Sequence, residues 1–370
     1  METKKYRFDE VTINFNKKRI ALSSAQREKR QGMFRYYGAQ GVIDHVDDYI
    51  FEGTYLLIAE DGENLKSKKQ NIAQVVDGQF WVNNHAHIVQ GNEQCDTRFL
   101  CYLINSMDLS GYITGSAQPK LSQANLNAVT LSLPTLAEQK RIVEYLYMLD
   151  QKIDVNRQIN DNLQQQAMAL YAEMFLNSSD NNVTSGTLSD IAVITMGQSP
   201  SGNSYNEDGV GEVFYQGRAE FGFRFPKRRL FTTEPKRMAE TGDVLLSVRA
   251  PVGDLNVAYE SCCIGRGLGA IHSKTGHSSF VLYTMFALKS QLDVFNGEGT
   301  VFGSINRDAL NAIPIDVPLV TKIDRFEAVA HPIDELIRTN YEENCRLEAI
   351  RDSLLPKLMS GEIDVSAVQL

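Results

Sequence analysis

Apolar residues recur at alternating spacings of four and three along two long segments of the chain. Residues 136–175 contain no Gly or Pro. This spacing predicts long helices that pack along an apolar seam as a coiled coil. In the second segment, which follows Pro318, Pro332 predicts a delayed or kinked start and Pro356 predicts the end. The seam positions are Ile142, Leu146, Leu149, Ile153, Asn156, Asn160, Leu163, Ala167, Leu170 and Met174 in the first helix and Phe326, Ala330, Ile333, Ile337, Asn340, Asn344, Leu347 and Leu354 in the second.

Each seam contains two asparagines at equivalent positions, Asn156 and Asn160 in the first helix and Asn340 and Asn344 in the second. A polar residue on such a seam costs stability and fixes how the helices align. We therefore interpret the four asparagines as a device that sets the register. The alternative is that they border a solvated gap in a looser packing.

The chain repeats itself at a constant offset of 184 residues, without a gap, for nearly fifty residues. A period of this length exceeds that of solenoid repeats and predicts two copies of a domain-plus-helix unit, related by a pseudo-twofold axis. Such an axis makes the two helices antiparallel. The matching residues are Gly115–Gln118, Leu126–Ala128, Pro134, Asp150, Ile153, Asn156 and Leu163 in the first copy and Gly299–Phe302, Leu310–Ala312, Pro318, Asp334, Ile337, Asn340 and Leu347 in the second.

The segments outside the helices predict two similar globular domains of mixed α/β (α+β) class with short strands. The expected divisions are a domain at 1–134, a helix at 135–178, a domain at 179–318, a helix at 319–360 and a tail at 361–370. Three further pairs of segments are similar, namely Tyr55–Ala59 with Val244–Val248, Phe8–Val11 with Leu188–Ile191, and Tyr36–Gly41 with Phe214–Arg218. Loops that differ on a shared framework suggest two different recognition surfaces.

Composition narrows the class of protein. With 43% apolar and 22% charged residues, 370 residues can bury two cores of about 130 residues each. The five cysteines include no C-x-x-C, and no His/Cys cluster has zinc spacing, so neither a disulfide scaffold nor a zinc module is expected. No run approaches 18 apolar residues, and the N-terminus lacks a signal-peptide core. We expect a soluble, cytoplasmic protein in a reducing compartment, without a membrane partner.

The net charge of −9 hides two basic runs. Residues 1–40 hold ten Lys/Arg against four Asp/Glu, and residues 218–237 hold seven against two, interleaved with phenylalanines. Lysine and arginine suit phosphate contacts, and Arg, Gln and Asn suit pairing with base edges. These runs therefore favour nucleic-acid binding, although a single basic run is as often only a solvated face.

Several motifs, in this order and duplicated, resemble the specificity (S) subunits of type I restriction-modification systems over essentially the whole chain. The first is Gly115–Leu126 followed by Leu133–Val143, which is similar to the junction between a target recognition domain and a helix of that family. The others are Gly186-x-Leu188-x-Asp190-Ile191, Gly197-x-Ser199-Pro200, Gly242–Leu245, Arg249–Gly253, Ile264–Gly267 and Leu354–Ile363.

The resemblance implies a non-catalytic DNA-binding subunit with two target recognition domains, one for each half of a bipartite, asymmetric target. It also implies two modification subunits that methylate adenine with S-adenosylmethionine, and ATP-driven restriction subunits. S-adenosylmethionine, ATP and Mg are then cofactors of those partners, and none is expected on this chain. The long helices would act as a ruler for the spacer between half-sites and as a docking platform for the partners.

The sequence itself lacks catalytic motifs. No Asn/Asp-Pro-Pro-aromatic motif is present to hold a flipped adenine, and no G-x-x-x-x-G-K-[ST] is present to bind ATP. The glycine-rich segment Ile264–Ala270 has the wrong spacing for a nucleotide loop and does not lead into a long helix. A fused restriction-methylation enzyme is therefore disfavoured. A coiled-coil adaptor or scaffold with two ligand-binding heads, and no DNA, is the remaining alternative.

Two histidines, His85 and His87, are predicted to share one face of a strand, as a metal pair, a base-reading pair or packing residues. Metal is disfavoured because no third ligand lies nearby in the sequence. The candidate DNA-binding residues are Lys17, Lys18, Arg19, Arg27, Arg30, Arg35, Tyr37, Gln40, Lys68, Lys69, Asn84, His85, Gln118, Lys120, Gln198, Ser199, Tyr215, Gln216, Arg218, Arg224, Lys227, Arg228, Arg249, Arg266, Ser304 and Arg307.

Overall fold

The computed structural model describes residues 2–116, 118–177, 183–296 and 303–363. Parts of the repeat motifs, Ala117 and Gly299–Phe302, lie outside the described residues, as do residues 364–370 of the expected tail. The helices are α1 Ser24–Glu28, α2 Asn64–Ser67, α3 Thr97–Ser106, α4 Gln123–Asn127, α5 Leu136–Tyr171, α6 Leu188–Ile191, α7 Ser278–Ala287, α8 Lys289–Asp293, α9 Arg307–Asn311 and α10 Val320–Ser360. A π-helical turn, Ala172–Leu176, continues α5.

The strands and these helices together confirm the mixed α/β class. The strands are β1 Lys4–Arg7, β2 Thr12–Asn14, β3 Gln31–Gly38, β4 Gly41–Val46, β5 Phe51–Ala59, β6 Ala73–Val82, β7 Ala86–Gly91, β8 Thr130–Leu133, β9 Val183–Thr187, β10 Ala192–Met196, β11 Tyr205–Asn206, β12 Glu212–Tyr215, β13 Phe231–Thr232, β14 Met238–Ala239, β15 Val244–Ser247, β16 Leu255–Val257, β17 Cys262–Ile264, β18 Leu268–Ser273 and β19 Pro314–Pro318. They have two to six residues, except that β3, β5 and β6 have eight, nine and ten and so are longer than expected.

The chain forms two compact units. Unit 1 comprises Met1–Val155 and Glu343–Leu370, and unit 2 comprises Asn156–Glu342. In unit 1 the described strands form a six-stranded sheet in the order β2-β7-β5-β6-β3-β4 and a two-stranded sheet of β1 and β8. In unit 2 they form a four-stranded sheet in the order β10-β18-β15-β16, a five-stranded sheet in the order β11-β13-β12-β17-β14, and a two-stranded sheet of β9 and β19.

The two-stranded sheets show that the repeat extends to the opening segments of each unit. Strand β1 pairs antiparallel with β8, and β9 pairs antiparallel with β19. Just after β1 the Phe8 N–H donates to Val129 O at 2.9 Å, and just after β9 the Leu188 N–H donates to Ile313 O at 2.9 Å. The predicted similarity of these two openings is therefore confirmed.

The strand alignment expected between β5 and β15 is wrong by one residue. Strand β5 ends with Ala59 opposite Ala86, the first residue of β7, and β15 ends with Ser247 opposite Leu268, the first residue of β18. Ala59 therefore corresponds to Ser247 and not to Val248. A slip of one residue exchanges the two faces of a strand. The corrected alignment places Leu56 and Val244 in the cores on the helix side of their sheets, which the shifted alignment does not do.

The predicted seams of α5 and α10 are confirmed, because every seam residue is buried or half-buried. Helix α5 begins after Pro134 with a reciprocal cap in which Thr135 N–H donates to the Glu138 carboxylate at 2.9 Å. The helices run antiparallel within each unit. In unit 1 Asp150 pairs with Arg351 and Ile153 with Asn344, and in unit 2 the Tyr171 ring packs on Phe326.

All four seam asparagines are buried. In unit 2 the Asn160 Nδ2 donates to Ile337 O at 3.3 Å, and Asn340 Nδ2 donates to Asn160 Oδ1 at 2.8 Å. In unit 1 the Asn344 Nδ2 donates to Ile153 O at 3.4 Å, which is the first of these bonds displaced by 184 residues at both ends. Burial and cross-helix bonding favour the register interpretation over a solvated gap.

Two expectations about the second helix, a start delayed by Pro332 and an end at Pro356, are wrong, whereas a kink at Pro332 stays a prediction. Helix α10 begins at Val320, so Pro332 does not delay its start, and it continues past Pro356 to Ser360. Both prolines are exposed, whereas Phe326 and Ala330 are fully buried in the core of unit 2, and Leu358 is buried in the core of unit 1. Packing of the apolar face compensates for the backbone hydrogen bond that each proline removes.

Equivalent aspartates of the two helices anchor each unit's domain to its helix pair. Asp150 accepts from Tyr102 Oη at 2.5 Å and from Arg351 Nη1 at 2.9 Å. Asp334, 184 residues later, accepts from Tyr283 Oη at 2.9 Å and from Arg224 Nη1 at 2.7 Å. The tyrosine contact is duplicated, but the neutralising arginine comes from a different element in each unit.

We expect Asp334→Asn to lower the free energy of unfolding by about 3 kcal/mol, because Arg224, whose side chain is only 3% exposed, is then left without a carboxylate. The matched control is Asp150→Asn. Its partner Arg351 is 27% exposed, and we expect a loss of about 1 kcal/mol. Urea unfolding of the full chain measures both. Equal losses in the two variants contradict the role given to burial.

Candidate nucleic-acid interface

Four segments of each unit meet where neighbouring strands end. We call the first meeting point junction 1 and the second junction 2. Junction 1 consists of residues 37–40, 60–61, 83–85 and 118–121, and junction 2 consists of residues 215–218, 248–249, 265–267 and 303–305. These segments lie far apart in the sequence and contain many of the predicted DNA-binding residues.

The two junctions share one set of backbone hydrogen bonds. In junction 1 the bonds are Asn83 N to Tyr37 O at 3.0 Å, Glu60 N to His85 O at 2.9 Å and Leu121 N to Glu60 O at 2.8 Å. In junction 2 they are Gly265 N to Tyr215 O at 2.8 Å, Val248 N to Gly267 O at 3.0 Å and Ile305 N to Val248 O at 3.1 Å. The repeat has thus preserved the backbone of the site, and each side chain of one junction has a counterpart in the other.

A fifth segment joins junction 2. Gln198 N donates to Ile264 O at 2.9 Å, and Arg266 N donates to Ser199 Oγ at 3.3 Å. The approach requires glycine at position 197, because a Cβ there would lie 2.1 Å from Gly265 O. The glycine-rich segment around Gly265 therefore connects two strands through a tight turn.

Junction 2 presents polar and cationic side chains. Gln198, Gln216, Arg249, Arg266 and Ser304 are exposed, and an isolated bridge pairs the backbone of Arg249 with that of Ser304. Among the described residues, no carboxylate oxygen lies within 4.0 Å of the guanidinium of Arg249 or Arg266. Their charge is available to an anionic ligand.

Junction 1 has a different charge pattern, built on two acidic residues that the sequence analysis did not select. Glu60 pairs with Arg19 at 2.8 Å and with Lys120 at 3.4 Å, and Asp61 pairs with His85 at 2.8 Å. Burial would raise the pKa of Glu60, but the hydrogen bond from Arg19 and the surrounding positive charges outweigh it and lower the pKa. The signal that could have found them is their position directly after strand β5.

The expectation that His85 and His87 share a strand face is wrong. His85 is exposed in the turn between β6 and β7, whereas His87 is buried on β7. His87 Nδ1 accepts from Asn16 Nδ2 at 3.0 Å and Nε2 donates to Leu121 O at 2.7 Å. Burial lowers the pKa of His87, although the bond to Leu121 O and the charge of Glu60 act in the opposite direction. His87 is a packing residue that supports junction 1.

Four of the seven cations in the basic run at 218–237 are neutralised by carboxylates within unit 2. Arg218 pairs with Asp254, and Arg228 pairs with Glu260. Arg224 is buried and bonded to Asp334, Gln164 and Tyr283, so it ties the run to α10 and is not placed to contact a ligand. Lys227 remains exposed.

The N-terminal basic run shows the same pattern. Arg27 pairs with Asp44 at 2.8 Å and Arg30 with Asp47 at 2.8 Å, while Arg35 donates to Asp77 O at 2.8 Å. Arg19 is bonded to Glu60 as described. Among the described residues, five lysines of this run are exposed and form no ion pair, namely Lys4, Lys5, Lys17, Lys18 and Lys29.

The remaining predicted residues divide by exposure. Tyr37 and Tyr215 are buried, and they contribute to the junctions through their backbone carbonyls. Lys68 pairs with Asp108 at 3.2 Å. Four others are exposed, namely Gln40, Lys69 and Gln118 in unit 1 and Arg307, at the start of α9, in unit 2.

Other kinds of site find little support in the part of the chain that the structure describes. No group of three or more His, Cys, Asp or Glu side chains there is arranged to hold a metal ion. No helix of the described segments is long and apolar enough to span a bilayer. Burial raises the pKa of the Cys95, Cys101 and Cys262 thiols to about 12, which is unfavourable for nucleophilic chemistry.

Comparison with known proteins identifies the family. The family model for the type I restriction modification DNA specificity domain matches residues 2–165. A relative from Methanocaldococcus jannaschii, provisionally named the type I restriction enzyme MjaX specificity subunit, is 31% identical over 291 residues, which cover 72% of this chain and 68% of the relative. The chain belongs to the family of type I restriction enzyme specificity subunits.

Further members of this specificity-subunit family are also similar to the chain. The MjaIX specificity subunit of the same archaeon is 21% identical over 304 residues, which cover 73% of this chain and 69% of that protein. The crystal structure of a type I restriction-modification S subunit from M. genitalium superposes with a TM-score of 0.65 at 14% identity, covering 97% of this chain and 96% of that one. This likeness confirms the fold of a specificity subunit.

We expect the stability of the specificity subunit to fall as the pH drops from about 7.5 to about 5.5, and His87→Gln to reduce that fall. Because the pKa of His87 is lowered in the folded state, the unfolded chain takes up the proton first, and stability is lost as the pH falls through about 6.5. Thermal unfolding at the two pH values measures the difference.

The control for this measurement is His45→Gln, which removes an exposed imidazole from β4 and is expected to keep the wild-type response. The lowered pKa of Glu60 affects stability only below the range tested. An unchanged pH response in His87→Gln contradicts the assignment of His87 as a buried, neutral side chain.

Proposed function

We propose that this specificity subunit reads a bipartite, asymmetric duplex DNA target, with one half-site at junction 1 and the other at junction 2. The observation that carries the proposal is the duplicated junction. One backbone framework, with the same three hydrogen bonds, presents Asp61, Asn84 and Lys120 in one unit and Arg249, Arg266 and Ser304 in the other. Conserved geometry with different side chains is what two readers of different sequences require.

Local charge supports the choice of DNA as the ligand. Several arginines of the two basic runs form ion pairs within the protein and are therefore not proposed to contact DNA. Arg224 has a structural role in this proposal. Seven of the predicted cations are exposed and form no ion pair or side-chain hydrogen bond among the described residues, and these suit contacts with phosphates or base edges. They are Lys17, Lys18, Lys69, Lys227, Arg249, Arg266 and Arg307.

The subunit itself is proposed to be non-catalytic. In this proposal two modification subunits supply adenine methylation with S-adenosylmethionine, and restriction subunits supply ATP- and Mg-dependent cleavage. The long helices α5 and α10 provide the docking platform for both. Exposed apolar side chains on these helices, such as Met148, Val155 and Ile159 of α5 and Val329 and Leu336 of α10, suit such contacts.

The helix pair is also proposed to set the gap between the half-sites. Hydrogen bonds from Asn160, Asn340 and Asn344 fix the helix register in each unit, since a buried amide that loses its partner costs about 1 to 3 kcal/mol. A fixed register holds the two reading sites at a constant separation. This is the requirement for a spacer of constant length.

DNA binding is tested by a salt-dependent gel shift on duplex DNA. We expect Arg249→Ala with Arg307→Ala to weaken binding and to reduce the slope of log K against log salt by about 2, if both side chains contact phosphates. The matched control is Arg218→Ala with Arg228→Ala. Both of these arginines are already paired with carboxylates, so the slope should change less. A wild-type chain that binds no DNA supports the adaptor alternative instead.

The ruler is tested by inserting one heptad after Asn160 and one before Ile337. This double insertion keeps the Asn160 bonds and the seam phase but lengthens both helices by about 10 Å. We expect the preferred spacer to grow by about three base pairs while both half-site sequences are retained. Sequencing of methylated bases in cells that carry the complex measures the spacer.

Insertion of two residues at the same places is the control for the ruler experiment. It puts the seam out of phase and is expected to prevent assembly. An unchanged spacer in a heptad variant that still directs methylation would show that another element sets the gap.

A further inference from the structure

Both junctions contain a three-residue turn whose central side chain is exposed. In unit 1 the turn is Asn83–His85, between β6 and β7, and in unit 2 it is Gly265–Gly267, between β17 and β18. The first residue of each turn donates its N–H to a tyrosine carbonyl. The carbonyl of the last residue accepts from the N–H of Glu60, just after β5, or of Val248, just after β15. Asn84 and Arg266 are therefore structurally equivalent.

The backbone of Arg266 is fixed on every side. Gly265 N donates to Tyr215 O at 2.8 Å, Gly267 N donates to Gln216 O at 3.1 Å, and the N–H of Arg266 itself donates to Ser199 Oγ at 3.3 Å. The close packing requires glycine at position 267, where a Cβ would lie 2.7 Å from Gln216 O. A rigid turn reduces the entropy cost of placing the side chain on a ligand.

The backbone of Asn84 is fixed by different contacts. His85 N donates to Asn83 Oδ1 at 2.8 Å, which tightens the turn, and His85 Nδ1 bonds to Asp61 Oδ2 at 2.8 Å. The carbonyl of Asn84 accepts from Arg19 Nη1 at 3.2 Å. None of these bonds uses the Asn84 side-chain amide, which is exposed.

Charge separates Arg266 from several arginines of unit 2. Arg218, Arg224 and Arg228 each have a carboxylate partner, whereas the described residues offer none to Arg266 within 4.0 Å. An exposed guanidinium on a fixed turn, without a partner, is a pre-organised bidentate donor. A side-chain amide in the same place is a combined donor and acceptor.

We infer that Asn84 and Arg266 are equivalent base-reading residues, with Asn84 selecting adenine in the half-site of unit 1 and Arg266 selecting guanine in the half-site of unit 2. Arginine pairs with O6 and N7 of guanine, and asparagine pairs with N6 and N7 of adenine, both in the major groove. The inference rests on the proposed function, since it names the determinants of specificity at the proposed DNA site.

The test is selection of sites from a randomised duplex pool by the full chain with its modification subunits. For Arg266→Asn we expect one position of one half-site to change from G·C to A·T, with the original base disfavoured by about 10- to 100-fold, while the other half-site is unchanged. For Asn84→Arg we expect the reverse change, from A·T to G·C, at one position of the other half-site.

The control is Arg237→Asn, which removes another exposed arginine of unit 2 that has no carboxylate within 4.0 Å among the described residues. It should leave every base preference unchanged. An Arg266→Asn variant that keeps the wild-type motif, or that binds all sequences equally more weakly, overturns the inference, because Arg266 then contacts phosphate or nothing.

If Arg266→Asn abolishes binding, Asn84→Arg decides, because it adds a hydrogen-bonding group. A change to guanine at one position supports the inference, and retention of adenine there overturns it. A wild-type chain that enriches no sequence overturns the proposed function, and the inference with it. A wild-type motif that neither variant changes overturns the inference alone.

Discussion

The arrangement of the two long helices depends on buried amide hydrogen bonds that cross their seam. Asn160 bonds to Ile337 O in unit 2, and Asn344 makes the equivalent bond to Ile153 O in unit 1. An apolar seam alone tolerates a shift by one heptad, because the same type of residue returns to each position. A buried amide does not tolerate it, since a shift leaves the amide without a partner in a water-poor environment. The asparagines therefore exchange some stability for a single register of the two helices.

Each domain is attached to the helices by a contact that the duplication has preserved and by one that it has not. Asp150 and Asp334 both accept from a tyrosine of the adjacent domain helix, Tyr102 or Tyr283. Their arginine partners differ: Arg351 lies on the helix pair itself, whereas Arg224 comes from the basic run of unit 2. The same carboxylate charge is thus neutralised in two ways.

The junctions extend this principle to the proposed DNA site. Three backbone hydrogen bonds are equivalent in the two junctions, and on this shared framework the side chains differ, as Asp61 and Arg249 do. If the junctions are the proposed DNA sites, substitution at a few fixed positions would be enough to change the base sequence that each one recognises. The surrounding ion pairs hold most arginines of the basic runs in place. They leave a smaller set of cations available to a ligand, so the total charge of the two runs overstates the charge that a ligand would meet.

Features that depend on local spacing could be predicted from the order of the residues. The apolar period of α5 and α10, the seam asparagines and the 184-residue repeat predicted a duplicated mixed α/β fold with an antiparallel helix pair, and the motifs indicated the family. Tertiary structure decided the strand alignment at Ala59, the helical path through Pro332 and the place of His85 in a turn. It also decided which arginines are available to a ligand, because Arg218 finds Asp254, and Arg224 finds Asp334, across 36 and 110 residues. The physical reason is that periodicity is encoded in neighbouring residues, whereas burial and charge neutralisation depend on partners that only the folded chain brings together.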